Sequence, residues 1–323
     1  MEILSVLKNT LSMKRVIIIL VWVIVVAALI FYLVSHAEDI KRLLRLSLYD
    51  IALLAVLNII TQFINALKIM FIIRKTGLRL GIKECFSLAS VNSVINYLPF
   101  KGGAFALAFY FKDKHKLSYM NFINIIVASH LIMISTAALF SSVFIVSHYF
   151  FTGIFLDKFF SIFSFLFIIT VAAIFFLKRF RDKPASVITK WDKVKEAIAG
   201  LNIIFADKVL LFQLVLLNFI SVVIIGMRFS VCFRMVSFSA PLLLSLLAGG
   251  VKILAMALSI IPSGLGIAEL FAGGISNMMD SGANIGVYAA FIDRIVSVIV
   301  LLAVGTVSFG YLYKHRNVKS TQT

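Results

Sequence analysis

Four cations stand inside apolar runs of this 323-residue chain: Lys68, Arg228, Lys252 and Arg294. A charge at the centre of a bilayer costs roughly 2.5–3.5 kcal/mol on insertion scales, so a retained one faces protein interior or a water-filled cavity. The excess of these cations over acids suits an anionic head group. The competing reading is that long side chains near helix ends snorkel to the surface. It applies most to Lys68 and Arg228, and least to Arg294, which lies deep in its run. Glu269 is the one carboxylate inside the second of two broken segments. It reads as a proton carrier, as a group for a cationic part of a substrate, or as a structural partner of Arg294 or Lys252. Asp293 reads as a local pair. Asn58, Gln62, Asn65, Asn92 and Asn96 read as hydrogen-bonding glue between helices, and His130 as a hydrogen-bonded interior residue.

The residues that would position these charges form one pattern that occurs twice. Lys68 and Arg74 are followed by an apolar run ending in Asn96-Tyr97-Leu98-Pro99-Phe100-Lys101-Gly102-Gly103. Arg228 and Arg234 are followed by one ending in Ile261-Pro262-Ser263-Gly264-Leu265-Gly266. A short apolar stretch, a polar loop and a long apolar helix come after each break. That helix carries His130 in the first copy and Arg294 in the second. A duplicated broken helix in a membrane chain points to a substrate site near the midplane. Each break leaves a half-helix whose free N–H groups and positive dipole end suit an anion. Lys101 with Gly102 and Gly103, and Gly264 with Gly266, are the groups that would approach it. The plainer reading of these glycines is kinking and close helix packing.

Composition sets the frame. The chain is 62% apolar with a mean hydropathy of +1.07, a polytopic membrane protein with essentially no soluble domain. The net charge of +17 reflects basic loops that orient the protein, not nucleic-acid binding. Cys85 and Cys232 have no metal-ligand spacing and fall near opposite faces, so neither a metal nor a disulfide is expected. No nucleophilic triad is visible, and the Gly264–Glu269 stretch lacks the βαβ setting of a dinucleotide site. An enzyme is not expected, nor any cofactor.

The spans expected are 16–34 (an uncleaved first span, not a signal peptide), 51–73, 119–147, 159–177, 209–231 and 285–312. Two broken hairpins, 84–111 and 240–279, lie between them. The arm 84–98 is too short to cross a hydrocarbon core of about 30 Å, and the second hairpin has longer arms that leave full crossing open. Loop charges place both termini inside and bring the hairpins in from opposite faces. The fold class is therefore all-α and polytopic, one membrane domain over 1–323. It has an inverted-topology repeat, 51–147 against 209–312, with two re-entrant hairpins. The loop 178–208 is cytoplasmic and 314–323 is a flexible tail.

These motifs resemble the transmembrane, flippase-like domain of the lysylphosphatidylglycerol synthetase family. The matching residues are Asn96, Pro99, Gly102 and Gly103, then Pro262, Gly264, Gly266 and Glu269, and the late Arg294. The resemblance covers about 14–312. It implies movement of an anionic or modified phospholipid, or a polyprenyl-linked lipid, between leaflets of the plasma membrane. A lipid-modifying transferase is the partner it allows; the chain would then present a lipid and not transport it. An integral-membrane lipid-phosphate enzyme is the third alternative. Relatives often carry an acid after the first glycines, where Ala104 stands here, and an arginine where His130 stands. Both departures imply an altered first half-site. The soluble aminoacyl-transferase domain is absent from this sequence, so synthesis of lysyl lipid is not expected of it.

The topology is tested by cysteine labelling in intact cells, in a background without Cys85 and Cys232. Cysteines placed at Asp157 and Asp280 label with an impermeant thiol reagent, and those at Lys114 and Lys190 do not. Labelling at Lys114 from outside would remove the inverted arrangement.

Overall fold

The computed structural model describes residues 47–97, 102–117, 119–181, 204–258, 264 and 266–317. The expected span 16–34, the break residues Pro99, Lys101 and Pro262, and most of the loop 178–208 lie outside them. All regular structure among the described residues is helical, in the order α1 Leu48–Arg74, α2 Ile82–Ile95, α3 Gly102–His115, α4 Tyr119–Thr152, α5 Asp157–Arg181, α6 Lys208–Met235, α7 Leu242–Leu258, α8 Ile267–Met278 and α9 Ala283–Asn317. Five of these, α1, α4, α5, α6 and α9, contain stretches long and apolar enough to cross a membrane. The protein is a multi-pass membrane protein.

The apolar runs become helices because only a helix satisfies every backbone N–H and C=O inside hydrocarbon. Several of their hydroxyls bond back within the same helix: Thr61 Oγ1 donates to the Leu57 carbonyl at 2.8 Å and Ser221 Oγ to that of Leu217 at 2.8 Å. Asp207 caps α6, its carboxylate accepting from the Val209 and Leu210 N–H groups at 3.0 Å each. A hydrogen bond from Lys75, then those backbone donors, hold the Asp207 carboxyl below its ordinary value of 3.8. Its contribution is therefore present above about pH 4 and lost as pH falls through the lower folded value.

Short helices flank both breaks named in the sequence. Helix α2 has 14 residues, about 21 Å, and α7 has 17, about 25 Å. Neither reaches the roughly 30 Å of a hydrocarbon core. Helices α3 and α8, of 14 and 12 residues, are no longer.

Helix lengths run in the same order twice. Residues 27, 14, 14 and 34 long for α1 to α4 are followed by 28, 17, 12 and 35 for α6 to α9, with α5 inserted between. Packing partners exchange in step. Helix α2 packs on α1 and on α9; its counterpart α7 packs on α6 and on α4. The two leading helices, α1 and α6, lie side by side and antiparallel, joined by three polar contacts. Asp50 near the start of α1 meets Arg234 near the end of α6, Lys68 reaches Ser221, and Lys75 after the end of α1 meets Asp207 before the start of α6.

Small residues let the backbones approach. A Cβ added to Gly249 on α7 would lie 2.5 Å from the Gly226 nitrogen and 2.6 Å from the Val222 carbonyl of α6. One added to Gly305 on α9 would lie 2.5 Å from the Val94 side chain of α2. The main apolar core runs through α4, α6, α7 and α9, around Phe229, Phe233, Leu247 and Ala289. Cys85 and Cys232 are both free and buried.

Gly249→Val is expected to lower stability by about 1–3 kcal/mol, the usual cost of overpacking, because the obstructing atoms are backbone. Thermal unfolding in detergent checks it. An unchanged transition would mean that α6 and α7 do not cross so closely.

Candidate functional site

The site is built on α6, α7, α8 and α9. Arg228 and Lys252 project from two helices whose backbones touch, and both reach one acid, Asp293 on α9. Arg228 Nε donates to Asp293 Oδ1 at 2.8 Å, and Lys252 Nζ donates to Oδ2. Arg228 also donates to Ser297 Oγ, which turns its own proton to the Asp293 carbonyl one helical turn back. The Lys252 ammonium lies 5.9 Å from the centre of the Phe229 ring. Asp293 has no exposed surface, and Arg228 and Lys252 are buried with it.

Arg294, the next residue on α9, points elsewhere on the helix and meets Glu269 of α8. Arg294 Nε lies 2.8 Å from Glu269 Oε1, an ion pair by distance without the alignment of a hydrogen bond. The other carboxylate oxygen accepts from the Gly266 N–H at 2.8 Å. Gly266 stands at φ +85°, a left-handed conformation that glycine adopts without strain. Glu269 thus caps the half-helix after the second break while holding Arg294. Among the described residues three cations and two acids share this cluster, leaving one positive charge in surplus.

The sequence-predicted residues therefore divide. Arg228, Lys252, Glu269, Arg294 and Gly266 come together. Lys68 sits apart on α1, partly buried, its ammonium donating to Ser221 Oγ on α6 at 2.8 Å. Gly103 faces the arm before it: its N–H donates to Asn96 Oδ1 at 3.2 Å, and a Cβ there would lie 2.5 Å from the Asn92 carbonyl. Gly102 lies against Ile95 and Gly264 against the backbone of Ala255. These three glycines serve close packing within their hairpins. Helices α3 and α8 form no packed interface with one another among the described residues. Gln62 does act as glue, accepting from Ser93 Oγ of α2 at 2.8 Å. His130 does not have the interior place expected of it. It is exposed, a ring nitrogen 2.9 Å from the Ile126 carbonyl of its own helix.

A separate groove of about 590 Å³ opens between α1, α2 and α9, lined by Phe63, Phe86, Val304, Val307 and Tyr311 with Lys83 among them. None of the clustered charges lines it. At the start of the first hairpin, Glu84 accepts from Tyr110 at 2.6 Å and from Lys114 at 2.9 Å, tying α2 to α3. No group of three or more acids, histidines or cysteines fit to hold a metal occurs among the described residues.

Asp293 is the residue that sequence reasoning underrated. Only packing shows which face of α9 meets Arg228 and Lys252. The register of the two copies, 160 residues apart from Leu48 and Lys208 through α2 and α7, places their cations but not the acid. In that register Lys68 stands at the place of Arg228 and Asn92 at that of Lys252.

The sequence model of the family described as lysylphosphatidylglycerol synthase TM region matches residues 16–305. The chain belongs to this family. No curated protein and no solved structure matches it. The charged cluster and both hairpins lie within the matched region. As a member of the lysylphosphatidylglycerol synthase TM family, the protein is a lipid-related membrane protein.

Removing one partner of a buried ion pair strands the other, typically at 3–5 kcal/mol. Asp293→Ala is expected to destabilise by about that much, since it strands two cations. The triple variant Asp293→Ala, Arg228→Met, Lys252→Met should recover most of the loss. Thermal unfolding in detergent measures both, and a triple variant no better than the single one would mean that Asp293 does not neutralise this pair.

Proposed function

We propose that the protein moves an anionic or modified phospholipid, or a polyprenyl-linked lipid, between the leaflets of the plasma membrane. The observation that carries this reading is the buried cluster of Arg228, Lys252, Arg294, Asp293 and Glu269 within apolar helices, with one positive charge in surplus. Such residues inside a membrane mark substrate pathways. The antiparallel α1 and α6, and the exchange of packing partners between the halves, support an inverted repeat. That arrangement lets one site be reached from either face by rocking one half against the other. The short arms α2 and α7 support re-entrant hairpins, and both termini then lie on the cytoplasmic side. The chain is a carrier in this reading, not an enzyme: both buried acids of the cluster are already engaged by cations.

The closed pairing of the cluster favours one second reading. A cluster neutralised mainly by its own members also suits a lipid-presenting partner of a glycosyltransferase or aminoacyltransferase.

Arg294 cannot be tested alone. The structure pairs it with Glu269, so Arg294→Ala strands a buried acid. The double variant Arg294→Met, Glu269→Gln removes the pair together. In reconstituted vesicles carrying a labelled anionic lipid, its scrambling rate is expected to fall at least about tenfold, the loss of a charge-assisted contact. Its thermal stability should stay close to wild type. Wild-type scrambling by the double variant would make the pair structural. If wild type moves no phospholipid or polyprenyl phosphate, the partner reading replaces transport.

A further inference from the structure

The two halves carry equivalent cations but not equivalent counter-charges. In the second half Arg228 is neutralised by Asp293, because α9 packs on α6 and delivers the acid. Lys68 occupies the same place in the first half, 20 residues into α1 as Arg228 is 20 into α6 (68 from 48, 228 from 208). Among the described residues nothing comparable reaches it. Helix α4, the counterpart of α9, makes no such packing on α1. In the register set by His130 and Arg294, Ser129 stands where Asp293 does; in that set by Pro99 and Pro262, Ala106 stands where Glu269 does. Lys68 forms no ion pair among the described residues, and its hydrogen bond goes to a neutral hydroxyl.

An ammonium has three donors, and Ser221 takes one of them. A cation kept in an apolar helix without a built acid needs its counter-ion from elsewhere. We propose that Lys68 and Ser221, at the seam of α1 and α6, form a seat for the phosphate of a bound lipid, whose negative charge replaces the acid missing from the first half. The seat lies about 10 Å along α6 from Arg228, two helical turns (221 to 228). The lipid's phosphate is therefore seated by the first half, while the cations of the second half are already held by Asp293 and Glu269. This rests on the lipid-binding part of the function proposed above, and it changes which residue dominates recognition.

The test uses full-length protein in detergent, offered equal amounts of phosphatidylglycerol and phosphatidylcholine, with retained lipid read by native mass spectrometry. Wild type is expected to prefer phosphatidylglycerol. Lys68→Met should lower that preference at least about tenfold, as expected for a hydrogen bond to a charged group. Lys68→Arg should keep most of it, and Ser221→Ala should lower it less than Lys68→Met does. Lys68→Met should melt no lower than wild type, since it removes a charge without a built partner. If it does not fold, the Ser221→Ala and Lys68→Arg measurements decide alone. An undiminished preference in Lys68→Met, or in Ser221→Ala where that variant decides, overturns the seat while leaving lipid binding intact. Absence of preference in wild type overturns the lipid reading and the seat with it. Inorganic phosphate at millimolar concentration should not displace the lipid; if it does, the seat takes free phosphate and the lipid proposal falls.

Discussion

The arrangement turns on one buried carboxylate. Asp293 accepts from Arg228 and Lys252 together, and without it two helices would each carry an isolated charge into hydrocarbon. The crossing of α6 and α7 at Gly226 and Gly249 brings the two cations near enough to share it. The packing of α9 on α6 supplies it. Electrostatic necessity and small-residue packing are thus one constraint: the glycines permit the approach that the charges require.

The fold was legible where physics acts over a long stretch. Apolar runs of spanning length, interrupted by Pro-Gly breaks, gave α1, α4, α5, α6 and α9 as long helices and the two hairpins as broken ones, because backbone satisfaction in hydrocarbon leaves few alternatives. Charge pairing was legible only in part. Glu269 with Arg294 was among the pairs foreseen. Asp293 was not recognised as the hub, because its partners come from helices 41 and 65 residues away in sequence, and only packing reveals which face of α9 meets them. His130 was misread for the same reason. Inside or outside is a matter of helix rotation, and a helix apolar on all sides gives no periodic signal for it.

The same limit explains the glycines. Gly102, Gly103 and Gly264 in a Pro-Gly break fit an anion cradle and fit a tight hairpin equally well by residue type. Their neighbours decide: Ile95, Asn92 and Ala255 fill the space beside them. At Gly266 the backbone N–H does meet a carboxylate, and that carboxylate is the chain's own Glu269. Among the described residues the second break carries a capped half-helix, and the first a tightly packed hairpin.

The exchange of partners between halves has a consequence in time. Helix α2 rests against α9, with Val94 beside Gly305. About 200 residues of chain separate them, and at roughly 5–20 residues per second this is on the order of 10–40 s of synthesis. Throughout that interval a helix too short to span the bilayer has been made while the helix that covers it has not. The first hairpin must therefore wait, sheltered by the insertion machinery or by α1 and its own α3, until the second half arrives to close the protein.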